Sequence, residues 1–199
     1  MRVIVLDSQS TDATAKIAVQ YDAEVVQFTN TGGYPKKRQW ALENFLSDND
    51  WVLFCDADEV VLPLLWEEIG TAIAPNSPHA GYLISKGFHW SAASRSVRTL
   101  HIVGRPFRSG GFSHQVVLLV RRAKSRFERL IEIPGDTLNM EVHERVIVDG
   151  SVSVLHTPLI HEDVKGLHAY IDKHNRYSTW EAHLRHRQLT TGRYGEDIP

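Results

Sequence analysis

A chain of 199 residues with 42% hydrophobic and 23% charged side chains is long enough to bury one sizeable core, which excludes wholesale disorder. The longest apolar stretch, Val60 to Trp66, is interrupted by Pro63 and falls far short of the roughly 20 residues that span a bilayer; no signal-peptide pattern precedes the first apolar run, and the single cysteine, Cys55, permits no internal disulfide, so a cytoplasmic protein is expected. The net charge of -2 hides segregation: residues 1–85 carry five basic and twelve acidic side chains, residues 86–129 ten and one, and residues 130–199 seven and eleven, so the middle segment is either a solvated basic face or a surface for phosphate or anionic lipid.

Val3 to Leu6 is a continuous apolar run ending at Asp7, as in a strand buried on both faces. Ser8, Ser10, Thr11 and Asp12 supply capping side chains for a helix over Ala13 to Tyr21. A second strand, Val25 to Phe28, is broken by Asn30, Gly32 and Gly33, and Pro35 suits the first turn of a helix running to about Leu46. The third strand, Trp51 to Cys55, ends in Asp56-Ala57-Asp58-Glu59; a helix from Pro63 to about Ala74 and a fourth strand around Tyr82 to Ser85 follow. This alternation predicts a doubly wound α/β sheet. Beyond residue 86, strand-like runs at Val116 to Val120, Val146 to Val148 and Val152 to Leu155 read as an extension of the same sheet. A long helix from about Asp163 to Leu189 closes the chain, with Leu167, Tyr170, Ile171, His174, Tyr177, Ser178 and Leu184 expected on one face.

Asp56 and Asp58 flank one small residue, and extended chain turns alternate side chains to the same side, so the two carboxylates can share a cation. Ligands of open α/β sheets sit beyond the carboxyl ends of the strands. Hard oxygen ligands favour Mg²⁺ or Mn²⁺. An isolated Asp-x-Asp is equally at home capping a helix or lying in solvent; Asp7, at the end of another strand, adds a second acid facing the same crevice.

Three stretches, Val5-Leu6-Asp7-Ser8-Gln9-Ser10-Thr11-Asp12-Ala13-Thr14, Lys37-Arg38-Gln39-Trp40-Ala41-Leu42 and Trp51-Val52-Leu53-Phe54-Cys55-Asp56-Ala57-Asp58-Glu59, resemble inverting glycosyltransferases of family 2. Val142-His143-Glu144 and Lys173-His174-Asn175-Arg176-Tyr177-Ser178 resemble the branch similar to lipopolysaccharide-core glucosyltransferases. The resemblance implies a GT-A-like, mostly parallel Rossmann-type sheet flanked by helices, with a C-terminal helix. It implies one domain over 1–199: a nucleotide-sugar-binding part at 1–85, an acceptor-side part at 86–162, and a C-terminal helix and tail at 163–199. The implied donor is a nucleotide sugar, most often of uridine diphosphate, and the acceptor is a glycan or lipid-linked glycan, with peripheral contact to an anionic membrane.

The same resemblance implies that Asp7 holds the base, that Asp56 lies near the ribose and the metal, and that Asp58 holds the Mg²⁺ or Mn²⁺ on the diphosphate. Arg38 matches a basic position near the nucleotide, and Gln39 stands where the family usually has Asn. Glu144 matches the general base that deprotonates the acceptor hydroxyl, with His143 as the alternative. His161, after the apolar Pro158-Leu159-Ile160 run, is a candidate third metal ligand, ahead of His156; both are otherwise structural imidazoles. Lys173 and Arg176 either reach a diphosphate or acidic acceptor or form a solvated helix face. Cys55 is expected to be an inert, buried strand residue.

Family members normally begin with a further strand and helix before the segment at Val3, so this chain is expected to start late or to be a truncated relative. Two other classes compete. A haloacid-dehalogenase-like phosphatase would use Asp56 as nucleophile and Asp58 as acid/base, although its motif belongs on the first strand. A non-catalytic sugar-nucleotide or glycan-binding remnant is the other. Nucleic-acid binding is not expected, since no ordered reader motif accompanies the basic segment.

Overall fold

The computed structural model describes residues 1–29, 34–44, 49–87, 100–102, 105–107, 114–129, 145–161 and 166–193. The apolar run at the start forms β1 (Ile4–Asp7), and α1 (Thr14–Gln20) carries the chain over to β2 (Glu24–Gln27). β1 and β2 pair in parallel, from Ile4↔Glu24 to Asp7↔Gln27. A crossover such as α1 is what parallel pairing requires. Of the expected capping side chains, Asp12 acts locally, accepting from Thr14 N at 2.9 Å, whereas Ser10 turns away to Asp7.

The chain continues through α2 (Lys37–Asn44), β3 (Trp51–Leu53), the two-residue β4 (Glu59–Val60), α3 (Pro63–Ala72) and β5 (Gly81–Gly87). α3 starts at Pro63, where the missing N–H costs nothing. α2 begins two residues later than Pro35 and ends before Leu46. A small hairpin, β6 (Leu100–Ile102) with β7 (Arg105–Phe107), precedes β8 (His114–Arg121). A single 3₁₀ turn over Arg122–Lys124 leads into β9 (Ser125–Phe127), which pairs antiparallel with β10 (Val146–Val148). β11 (Val152–Val154), β12 (Leu159–His161) and α4 (Gly166–Thr191) complete the described chain.

The central sheet has the order β3-β8-β5-β12-β4, with β11 against the first half of β5. β5 pairs in parallel with β11 and β12, but β8 runs antiparallel to both β3 and β5, and β4 antiparallel to β12. The α/β class, the flanking helices and the C-terminal helix are as expected, while the sheet is mixed where a mostly parallel one was expected. The cause is β8: its apolar run buries Leu118, Leu119 and Val120 in succession, which fixes its central place but leaves its direction open. Leu65 and Ile69 of α3 pack on Tyr82 and Ile84 of β5, Leu118 and Leu119 of β8, and Leu155 and Leu159. Tyr82 Oη donates to Ala72 O at 2.8 Å, pinning the end of α3 to the sheet.

α4 turns part of the expected face inward, Tyr177 and Leu184, together with Trp180, while the side chains of Leu167 and Tyr170 lie outside the described residues. Trp180 and Leu184 are buried and Lys173, Tyr177 and Gln188 half-buried, at the helical spacing of three and four, while Ile171, His174 and Ser178 are exposed. Among the described residues no helix is long and apolar enough to cross a membrane.

α2 is tied to the rest of the fold through β9. Gln39, buried, accepts from Phe127 N at 2.7 Å through Oε1 and donates to Glu43 Oε1 at 2.7 Å. Arg122 Nε donates to Leu42 O at 3.0 Å near the end of the same helix. Gln39→Leu leaves the buried Phe127 N–H unpaired and is expected to cost about 1–3 kcal/mol of stability. Urea unfolding midpoints measure this, and an unchanged midpoint would show that the bond holds nothing.

Candidate functional site

β3 and β5 both oppose β8, and β12 parallels β5, so these three strands point their carboxyl ends the same way. Asp56 follows β3, Lys86 lies at the end of β5, and the backbone of His161 ends β12, opposite Glu59 of β4. This edge is where an α/β sheet receives its ligand.

Asp7, at the carboxyl end of β1, is almost wholly buried. Gln9 adopts a left-handed conformation (φ 61°), turning the chain back so that Ser10 N and Ser10 Oγ both donate to Asp7 Oδ1, at 3.1 and 2.5 Å. Gln27, the cross-strand partner of Asp7, donates Nε2 to Oδ2 at 2.8 Å. The side-chain hydrogen bonds of Ser10 and Gln27 hold this carboxyl below its usual range against desolvation, with the charge of Lys37 acting in the same direction. A carboxylate so fixed is an acceptor in a set position.

The first turn of α2 lies between the two strand ends. Lys37 Nζ stands 5.9 Å from the Phe28 ring centroid, and Phe28 N donates to Asp7 O at 2.7 Å. The next residue, Arg38, forms an ion pair with Asp56 Oδ1 through Nη2. Trp40 packs on Phe28 with centroids 5.3 Å apart. One helical turn thus joins the Asp7 end to the Asp56 end.

The Asp56-Ala57-Asp58 segment is a turn, and β3 stops at Leu53, so the two carboxylates are not aligned by extended-strand period as expected. Glu59 shapes this turn: its N donates to Asp56 O at 3.0 Å, and its Oε2 accepts from Asp56 N at 2.7 Å. The local hydrogen bonds of a turn outweigh the alternation of a strand that lacks a ladder partner at these residues. Asp56 Oδ2 pairs with Lys86 Nζ at 3.2 Å, and Lys86 Nζ lies 2.5 Å from Glu59 Oε1. Burial alone would raise the Asp56 pKa, but the charges of Arg38 and Lys86 and their hydrogen bonds outweigh it and hold the carboxyl below its usual range.

Arg38 and Asp56 are therefore brought together, Asp58 is half-buried on the same turn, and Asp7 is joined to them through α2. Lys173 and Arg176 are engaged on their own helix, Lys173 over Tyr177 at 5.6 Å and Arg176 with Asp172 at 2.7 Å. His156 is exposed, and its backbone N donates to Glu68 Oε1 at 2.7 Å. Glu144 and His143 lie outside the described residues, as does the side chain of His161. At Arg145, next to Glu144, the chain is fixed by Glu128: Arg145 N donates to Glu128 Oε1 at 2.8 Å, and Glu128 N donates to Arg145 O at 2.9 Å. Burial pushes the Glu128 carboxyl above its ordinary value, against that hydrogen bond.

Cys55 departs from expectation in lying exposed, beyond the end of β3. Its thiol is nonetheless inert: partial desolvation of the sulfur and the carboxylates of Glu59 and Asp56 push its pKa up to about 11. Sequence reasoning missed Lys86 and the structural part of Glu59. The signal was present in β5, where Tyr82, Ile84 and Lys86 share one face by period two, and a lysine on a core-facing row needs a carboxylate partner.

Among the described residues no three His, Cys, Asp or Glu side chains are grouped to hold a metal ion. Mg²⁺ does not require such a cage, since it binds through one or two carboxylates together with substrate phosphates. The hard oxygens of Asp58 and Asp56 on one turn fit a cation that arrives with a diphosphate.

Residues 1–80 match the family described as Glycosyl transferase family 2. The amino-terminal part of the chain is similar to that family. Its matched span holds Asp7 at the end of β1 and Arg38, Asp56, Asp58 and Glu59 around the turn after β3. The "Lipopolysaccharide core biosynthesis glycosyltransferase LpsC" of Rhizobium meliloti (strain 1021) is 27% identical over 186 residues, 90% of this chain and 60% of that protein. The chain therefore spans about 60% of the length of this curated relative. The α/β sheet and its flanking helices agree with the GT-A-like fold that the resemblance implies.

The depressed Asp56 carboxyl makes stability depend on pH. A folded-state pKa below the unfolded value adds stability that is present above about pH 4 and lost as the pH falls through the folded value. Asp56→Asn is expected to be less stable than wild type at pH 7, and the gap to close on acidification. Urea unfolding between pH 7 and pH 3 measures it; a gap that widens toward low pH overturns the ion-pair account.

Proposed function

We propose that this chain is the donor-binding and transfer unit of an inverting, metal-dependent glycosyltransferase. It passes a sugar from a nucleotide sugar, of the uridine diphosphate type, to a glycan or lipid-linked acceptor in lipopolysaccharide synthesis. The observation that carries this reading is the first turn of α2, whose Lys37 acts on Asp7 and whose Arg38 pairs with Asp56, so that one helix serves both strand ends. The match of residues 1–80 to the family 2 glycosyltransferases and the relative's printed role in lipopolysaccharide core biosynthesis support it. The phosphatase alternative is disfavoured, because Asp56 follows the third strand and not the first.

In this mechanism Asp7 accepts from the nucleobase, and Asp56, set by Arg38, positions the ribose side of the donor. Asp58, with Asp56, would hold Mg²⁺ or Mn²⁺, and His161 is the candidate further ligand. The cation's contribution is to neutralise the leaving diphosphate. The acceptor oxygen attacks the anomeric carbon from the face opposite the diphosphate, and Glu144 takes its proton as the new C–O bond forms and the old one breaks. Lys173 and Arg176 contact the acceptor side or its anionic groups, and the basic middle segment faces an anionic acceptor or membrane surface.

Asp58→Asn is expected to abolish the Mn²⁺-dependent part of uridine diphosphate binding, measured by calorimetry, while the protein stays folded. Unchanged binding with Mn²⁺ would show that Asp58 does not hold the metal. Glu144→Gln is expected to lower transfer by about 10²–10⁴-fold with donor binding intact. If that variant keeps transfer and His143→Ala loses it, histidine is the base; if both keep it, this segment is not catalytic. Wild-type protein that binds no nucleoside diphosphate would favour a non-catalytic remnant.

A further inference from the structure

Glu59 and Lys86 form an ion pair that the sugar-transfer scheme above does not use. The Glu59 side chain is fully buried. Its Oε2 is spent on Asp56 N, and its Oε1 has no partner among the described residues other than the Lys86 ammonium, which compensates it at 2.5 Å. A buried carboxylate is costly without a cation, so the pair is fixed in place by mutual need. Lys86 also reaches Asp56 Oδ2 at 3.2 Å and keeps 18% of its side chain exposed. An ammonium carries three N–H donors, and these two carboxylates account for two of them.

The charges of the crevice give the third donor a use. Asp56, Asp58 and Glu59 crowd negative charge at the turn after β3, where a diphosphate would bring more. Arg38 is committed to Asp56 from the α2 side, whereas Lys86 approaches the same carboxylate from β5, beside the turn that carries Asp58. We propose that Lys86 is a diphosphate-binding residue, a lysine cation built into the sheet edge that contacts the donor's phosphates alongside any divalent ion and remains when that ion is removed. This rests on the glycosyltransferase reading and adds to it a protein cation from beyond the family-matched span.

The test compares binding of uridine diphosphate and of uridine to wild type and Lys86→Met, by calorimetry and saturation-transfer NMR, with EDTA and with Mn²⁺. Loss of one charge-assisted contact is expected to weaken uridine diphosphate about 10- to 100-fold under both conditions and to leave uridine unchanged. Lys86→Met strands the buried Glu59 carboxylate, so the same comparison is made between Glu59→Gln and the Glu59→Gln/Lys86→Met double variant, in which no buried charge is left over. The same drop is expected there. Unchanged uridine diphosphate affinity in both pairs, or a parallel loss of uridine and uridine diphosphate, overturns the assignment of Lys86 while the glycosyltransferase reading stands. Wild-type protein that binds no nucleoside diphosphate overturns both.

Discussion

Carboxylates gathered at the ends of neighbouring strands repel one another, and a fold that needs them there must supply cations from elements that arrive by other routes. In this protein Arg38 comes from α2 and Lys86 from β5, and both meet on Asp56. The pair settles more than one carboxylate. Arg38 draws the first turn of α2 against the loop after β3, and the same turn faces Asp7 through Lys37. Lys86 lets Glu59 stay buried, and buried Glu59 shapes the turn that carries Asp56 and Asp58.

That arrangement is transmitted into the body of the molecule by a second set of contacts. Gln39 sits one residue beyond Arg38 and satisfies the backbone of β9, while Arg122 holds the other end of α2. Gln39 is accordingly a structural residue: its amide reaches Phe127 N, 88 residues away in sequence. β9 in turn is closed on β10 by Glu128, whose carboxylate fixes Arg145 beside the proposed base. The turn after β3 and the β9–β10 pair are thus linked through one helix.

The family match and the geometry divide the site between them. The matched residues include both strand-end acids and Arg38, whereas Lys86 lies beyond them, on a strand held between β8 and the β11–β12 edge. The antiparallel β8 is the element that makes this possible. By separating β3 from β5 it keeps their carboxyl ends on one edge of the sheet, close enough for a lysine to span to the Asp56 turn.

The sequence by itself determined the order and type of the main elements. Apolar runs ending in acids, helix-forming stretches between them and the breakers at Pro63 and Gly32-Gly33 are local signals, and local signals suffice for local structure. It also singled out Asp7, Arg38, Asp56 and Asp58, because acidic residues at strand ends and the ordered motifs around them are visible without a fold. Only the tertiary structure decided that β8 opposes its neighbours, that Trp180 and not Ile171 faces inward on α4, and that the Asp56 segment is a turn. It alone revealed the partnership of Glu59 with Lys86, 27 positions apart in the chain. Strand direction, helix rotation and the pairing of a buried charge each depend on what lies across a packed interface, and one-dimensional patterning carries the polarity of a face but not the identity of its neighbour.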